Sequence, residues 1–168
     1  MSIMEHEYLT FFLDGEEYGV DILRVQEIRV WSPVTELPNT PPYMKGVINL
    51  RGIIVPIVDL RERFNRNPLS YDATTVVIVL RAEKDNKQMI VGIVVDAVSE
   101  VYKVTANEIR KAPDFGGNVD DQFIKGMATV AEKMIILLDA DTLLDTRILY
   151  QVNRQMNDPA IKQAAAQA

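Results

Sequence analysis

The 168-residue chain contains no cysteine and a single histidine, His6. Without cysteine there is no disulfide, no thiolate nucleophile and no Cys-ligated metal or iron–sulfur site. One histidine near the N-terminus, where chains are usually solvated and poorly ordered, builds neither a His-based metal cluster nor a catalytic triad. The serines are Ser2, Ser32, Ser70 and Ser99; none stands in a Gly-x-Ser-x-Gly elbow. P-loop and dinucleotide fingerprints are also missing, and the isolated Gly116-Gly117 pair reads as loop punctuation. No apolar run reaches the ~18 residues of a membrane span, and no secretory signal opens the chain. A net charge of −6 opposes bulk nucleic-acid binding, which depends on neutralising phosphates. A metal site, a cofactor and a catalytic centre are therefore not expected.

What is present is ordinary in amount, with 48% hydrophobic and 25% charged residues, and suits one domain or two small subdomains sharing a core. The apolar segments are short and rich in β-branched residues, the signature of strands punctuated by turns. Tyr8–Leu13 runs into Asp14-Gly15, a hairpin signal, and Glu17–Val20 can return beside it. Val47–Leu50, Ile53–Asp59, Val76–Leu80, Met89–Val95 and Met134–Leu138 read as further strands. Ile22, Val25 and Ile28, three apart, suggest a short amphipathic helix over 21–28. Thr105 and Glu108 have capping-box spacing. Leu144, Ile148, Val152 and Met156 make an apolar stripe on a C-terminal helix over about 141–157, followed by a frayed tail at 158–168. Asp139, Asp141 and Asp145 read as helix-start residues rather than an acid–base set. Arg61, Arg63 and Arg66, with Phe64 interleaved, read as a solvated strand end.

The chain also repeats itself. Gly19…Val25-Gln26-Glu27-Ile28 recurs 73 residues later as Gly92…Val98-Ser99-Glu100-Val101. Tyr43-Met44-Lys45-Gly46 recurs 80 residues later as Phe123-Ile124-Lys125-Gly126, and Ile54–Asp59 then lies over Met134–Asp139. Matches in the same order predict a duplicated β unit. Where the halves differ is informative: Asn49-Leu50-Arg51-Gly52 faces Thr129-Val130-Ala131-Glu132. A shared fold does not require Arg51, so Arg51 is a candidate for a task of the first half only. The alternative is a solvated turn residue with Gly52 supplying the positive φ.

The blocks Glu16–Ile28, Leu37–Arg61 and Val91–Val98 together closely resemble the CheW family of bacterial chemotaxis coupling proteins, over about residues 7–150. The resemblance implies a non-enzymatic cytoplasmic adaptor that joins methyl-accepting chemoreceptors to the histidine kinase CheA in membrane-associated arrays. It implies a mostly β fold, two SH3-like five-stranded β-barrel subdomains packed on a common apolar core, with a C-terminal helix. On this chain, a single CheW-like domain over 1–168 would divide into subdomain 1, about 7–66 plus the helix at 141–157, and subdomain 2, about 67–140. The receptor's cytoplasmic tip would dock between the barrels, and the kinase's C-terminal regulatory domain would pair barrel to barrel. Arg51 and Glu27 match family residues implicated in receptor coupling. Val25 and Ile28 would line the apolar groove, and Gly46 and Gly52 would shape loops. No kinase-binding residue stands out. Arg51 and Glu27 would contact receptor charges or pair with each other.

Two rival readings are a small-ligand-binding β-barrel sensor and a nucleic-acid-binding barrel, the second opposed by charge. A third is a detached kinase regulatory domain or the coupling half of a receiver-fused protein. A chain opening on Met1, with no receiver stretch or candidate phospho-acceptor histidine, is expected of a free-standing adaptor instead.

Overall fold

The computed structural model describes residues 5–64, 70–84, 86–111 and 123–143. The strands are β1 (Glu5–Leu13), β2 (Glu16–Asp21), β3 (Val25–Val30), β4 (Met44–Leu50), β5 (Ile53–Asp59), β6 (Val76–Lys84), β7 (Lys87–Val95), β8 (Ala97–Thr105), β9 (Ile109–Arg110), β10 (Ile124–Val130) and β11 (Lys133–Leu138). Helix is confined, among the described residues, to α1 (Leu60–Arg63) and single 3-10 turns such as Ile22–Arg24 and Ala140–Thr142. The expected C-terminal helix and tail lie outside the described residues from 144 onward, as do Arg66, Gly116-Gly117 and Asp145.

Two sheets form, in the orders β8-β1-β2-β11-β10-β9 and β3-β6-β7-β5-β4. Neither follows the expected division at residue 66/67. The hairpin β1–β2 belongs with β8–β11, and the hairpin β6–β7 belongs with β3–β5. Two parallel pairs make the exchange: β2 beside β11, and β7 beside β5. Hydrogen-bond register reveals the repeat inside this exchange. Gly19 stands opposite Leu137, and its counterpart Gly92 stands opposite Ile57, the counterpart of Leu137. Phe11 pairs with Val98 as Leu80 pairs with Val25, and Leu9 pairs with Val101 as Ile78 pairs with Ile28. Each sheet is thus a hairpin from one half completed by strands of the other.

The sheets also close alike. A segment after β3 bridges to β4 through Thr35 and Val47, and β9 bridges to β10 through Arg110 and Met127. The six-stranded count of one sheet reflects only that the second closure is two residues long and the first a single bridge. Close approach at this point needs glycine. Gly46 sits within β4 at a bulge, with φ +149°, and a Cβ there would fall on the Thr35 carbonyl oxygen. Gly46, expected to shape a loop, lies inside a strand and leaves room for the segment that carries Thr35. Gly52 does occupy the expected turn, with φ +87° and open space around it.

Packing follows the same division. Leu50, Val55, Ile57, Val77, Val79 and Val94 fill one sheet's own interior. Tyr8, Val104, Ala128, Ile135 and Leu137 fill the other's. Between them lies a larger common core that includes Phe11, Tyr18, Leu60, Phe64, Leu80, Ile93, Phe123 and Leu138.

Two local expectations are corrected. Residues 21–28 are not a helix: Asp21 caps a three-residue 3-10 turn, and Val25 starts β3 beside β6. The three-residue spacing arose across the join, where β-branched side chains and a strand partner override weak helical periodicity. His6 is not a free terminal residue; it is half-buried in β1 opposite Val104.

Gly46→Ala is expected to destabilise the fold by about 3 kcal/mol or more, because both the Thr35 carbonyl and the φ angle reject a side chain. Gly52→Ala, with strain but no clash, should cost only ~1 kcal/mol. Urea unfolding of the two variants tests the difference.

Candidate functional site

The Asn49-Leu50-Arg51-Gly52 motif ends β4 and supplies the two-residue turn, Arg51-Gly52, that joins it to β5. Asn49 Oδ1 accepts the Gly52 N–H at 2.8 Å, and Leu50 is buried. Arg51 and Gly52 both take left-handed φ angles, +50° and +87°. The counterpart turn uses Ala131 and Glu132 at φ +50° and +66°. The same hairpin therefore forms without arginine or glycine, and backbone geometry does not explain Arg51.

Its side chain is 74% exposed, yet Nη2 lies 3.0 Å from Glu27 Oε1 on β3. Of the two possibilities for these charges, this structure shows the pair. β3 and β4 are opposite edges of their five-stranded sheet. The ion pair therefore links these two edge strands at the rim, in addition to the bridge between Thr35 and Val47. In the second half the equivalents are Glu100 and Ala131, so that barrel lacks the tie.

The predicted groove residues separate. Val25 is partly buried against the common core. Along β3, Val25, Glu27 and Arg29 are partly buried, whereas Gln26, Ile28 and Val30 are exposed. Ile28 is 46% and Val30 69% exposed, and Ile53, just after the Arg51 turn, is 50% exposed. Ile28 thus presents apolar surface on the alternate set of β3 positions from Glu27.

A second constellation escaped the sequence reading. Arg61 is fully buried, not a solvated strand end. Its Nε and Nη2 donate to the two oxygens of Asp59 at 3.0 and 2.9 Å, and Nη1 donates to Asp96 Oδ1 at 3.0 Å. Tyr71 donates to Asp59 Oδ2 at 2.7 Å and stacks on Trp31, while the Asp14 N–H donates to Asp96 Oδ2 at 2.8 Å. Burial alone would make Arg61 easier to deprotonate; Asp59 and then Asp96 outweigh it and hold the guanidinium above its ordinary range. Burial, reinforced by the bond to Asp59, likewise raises Tyr71 above the phenol range. Arg63 lies between the rings of Tyr43 and Phe123, 4.6 Å from each centroid. Those rings are repeat equivalents. The available signal was Asp59 two residues before Arg61, at a helix cap.

Asp139 does cap its 3-10 turn, accepting the Asp141 N–H at 3.0 Å. Asp141 does more: it forms a two-bond ion pair with Arg24. The cleft lined by Asp21, Leu23, Arg24, Arg81, Ala82, Glu83 and Gln88 measures about 250 Å³. That is below the ~300–1,000 Å³ of ligand pockets, and its arginines are already engaged with Asp141 and the Leu23 carbonyl. The chemistry of this cleft gives the small-ligand reading no support.

The CheW-like domain family matches residues 7–147. The chain belongs to that family. Among its relatives, the Chemotaxis protein CheW of Klebsiella aerogenes is 50% identical over 147 residues, covering 88% of this chain and 86% of its own length. The Probable chemotaxis protein CheW of Rhizobium etli is 37% identical over 139 residues, covering 83% and 87%. The crystal structure of the scaffolding protein TtCheW from Thermoanaerobacter tengcongensis superposes with a TM-score of 0.75 at 33% identity, over 84% of this chain and 94% of that one. The chain is a chemotaxis adaptor of the CheW type. Among the described residues, no helix is long and apolar enough to cross a membrane.

The two ion-pair sites should behave oppositely. Arg61→Ala leaves two carboxylates, one wholly and one largely buried, uncompensated and should cost about 3–5 kcal/mol, whereas Arg51→Ala should cost no more than ~1 kcal/mol. Paired denaturation curves measure both.

Tyr71 gives a pH signature. Its raised pKa means that the folded state retains a proton the unfolded state releases near pH ~10. The associated stability is complete below that value and declines as pH rises toward the folded pKa. Ultraviolet titration of folded protein should show this late-ionising phenol, and Tyr71→Phe should remove it.

Proposed function

We propose that this CheW-type adaptor acts in the cytoplasm without catalysis of its own, coupling methyl-accepting chemoreceptors to the histidine kinase CheA in signalling arrays. Its receptor-facing residues are Val25, Glu27, Ile28 and Arg51. The observation that carries the reading is the asymmetry at the turn: Ala131 builds the same backbone as Arg51. An exposed ion pair adds only about 0.2–1 kcal/mol to stability, so the fold has little use for a charge there. A receptor tip is a helical hairpin, and docking it is a helix-in-groove problem. Exposed Ile28 and partly buried Val25 supply apolar contact, while Arg51 and Glu27 set register and specificity. The kinase's C-terminal regulatory domain occupies a different face. Two faces on one rigid body raise each partner's effective concentration for the other.

Arg51→Glu places two carboxylates where a pair stood. It should weaken binding to a receptor cytoplasmic fragment while leaving the melting curve nearly unchanged. Co-sedimentation with CheA and the receptor fragment, together and singly, tests the larger reading. Failure to bind either partner would sink it, and unchanged receptor binding by Arg51→Glu with loss of kinase binding would reassign the site.

A further inference from the structure

We propose that Arg24 and Asp141 form a positioning latch for β3, so that opening it weakens receptor docking without removing a receptor contact. The inference rests on the docking role given above to Val25, Glu27 and Ile28. Arg24 closes the 3-10 turn immediately before Val25. Its Nη1 and Nη2 donate to Asp141 Oδ1 and Oδ2 at 3.0 and 3.1 Å. Asp141 Oδ1 also accepts the Glu83 N–H from β6 at 2.6 Å. Arg81 Nη2 donates to the Leu23 carbonyl at 2.7 Å. The lead-in to β3 is therefore held from β6 and from the segment after β11, not by its own hydrogen bonds alone.

The repeat shows that this is a built feature. Asp141 is the counterpart of Arg61, 80 residues apart. Glu83 is the register counterpart of Asp14, because Thr10 stands opposite Gly19 as Val79 stands opposite Gly92. Asp96 maps next to Arg24, onto Leu23. At one junction, then, Arg61 after β5 meets Asp96, which also takes the Asp14 N–H. At the other, Asp141 after β11 meets Arg24 and takes the Glu83 N–H. The two junctions are alike with the charges interchanged, except that Arg61 is also held by Asp59 and that Asp96 aligns one residue before Arg24. The difference is solvent: side-chain exposures are 0% and 10% in the first pair, and 34% and 29% in the second. The buried pair is costly to break. The second pair, about one-third exposed, opens at smaller cost, and it sits at the root of the strand given the receptor-facing role.

The full chain is tested as Arg24→Gln, Asp141→Asn and the double variant, titrated with a receptor cytoplasmic fragment and separately with CheA. Each single variant should bind the receptor fragment about three- to fivefold more weakly. The double variant should be no weaker than the worse single, because both remove one interaction. CheA binding should stay within about twofold. Arg24→Lys, keeping charge but losing the two-bond geometry, should fall between wild type and Arg24→Gln. Weakening by Arg24→Gln but not Asp141→Asn would mean that Arg24 touches the receptor directly and would overturn the latch. A lowered melting temperature with unchanged receptor affinity would overturn it as well, leaving a merely structural pair. Arg51→Glu runs alongside: if it binds normally the docking reading itself fails, whereas if it weakens binding and Asp141→Asn does not, only the latch fails.

Discussion

Everything in this molecule depends on the exchange of strands through two parallel pairs, β2 with β11 and β7 with β5. Antiparallel neighbours can be joined by short turns, but parallel neighbours must be brought together from distant chain. Here the distant chain is the other half of the repeat. The consequence is that neither half owns a complete sheet. Gly19 and Gly92 sit at the equivalent points of these pairs, where a Cβ would lie 3.2 Å from Leu137 and 2.6 Å from Ile57. The second site leaves no room for a side chain unless Ile57 and Val77, 2.6 and 2.9 Å away, both move, so the parallel contact is close because a glycine faces branched side chains.

Interlocking of this kind suits an adaptor. If each half folded alone, the two halves could rock against one another. With shared sheets and a common core around Phe11, Tyr18, Phe64 and Phe123, displacement of one barrel has to disturb the strands of both. The aromatic sandwich of Arg63 between Tyr43 and Phe123 lies at equivalent positions of the two halves, and it stiffens the same boundary.

Much of this was legible in residue order. The β-branched runs bounded by Asp14-Gly15 and similar turns identified the strong strands, and the offsets of 73 and 80 identified the duplication. The repeat also contained what was missed. β10 is the image of β4, whose strand reading could have revealed it; β8 is the image of β3, and with β3 read as helix neither exposed the other. The exchange itself was not legible, because an intact pair of halves and a swapped pair have the same sequence pattern and differ only in which hairpin completes which sheet. Arg61 was misread for a related reason: burial of an arginine depends on two carboxylates, one of them 35 residues away, and a local reading sees only a basic run. The pairing of Arg51 with Glu27 was one of two readings open in the sequence, and deciding for it needed the curl of the sheet.

The duplication separates what the fold requires from what function adds. Positions alike in both halves, such as the capping aspartates Asp59 and Asp139, belong to the architecture. Positions that differ at constant backbone are released from it. Arg51 against Ala131 is one, and it is exposed. Arg61 against Asp141 is another, but there the opposite charge has been preserved around an equivalent joint by interchanging the partners. A surface charge without a counterpart and a charge pair with an inverted counterpart are thus different kinds of asymmetry. The first marks a residue that the backbone leaves free to vary. The second marks a joint whose chemistry had to survive duplication while its exposure was free to change.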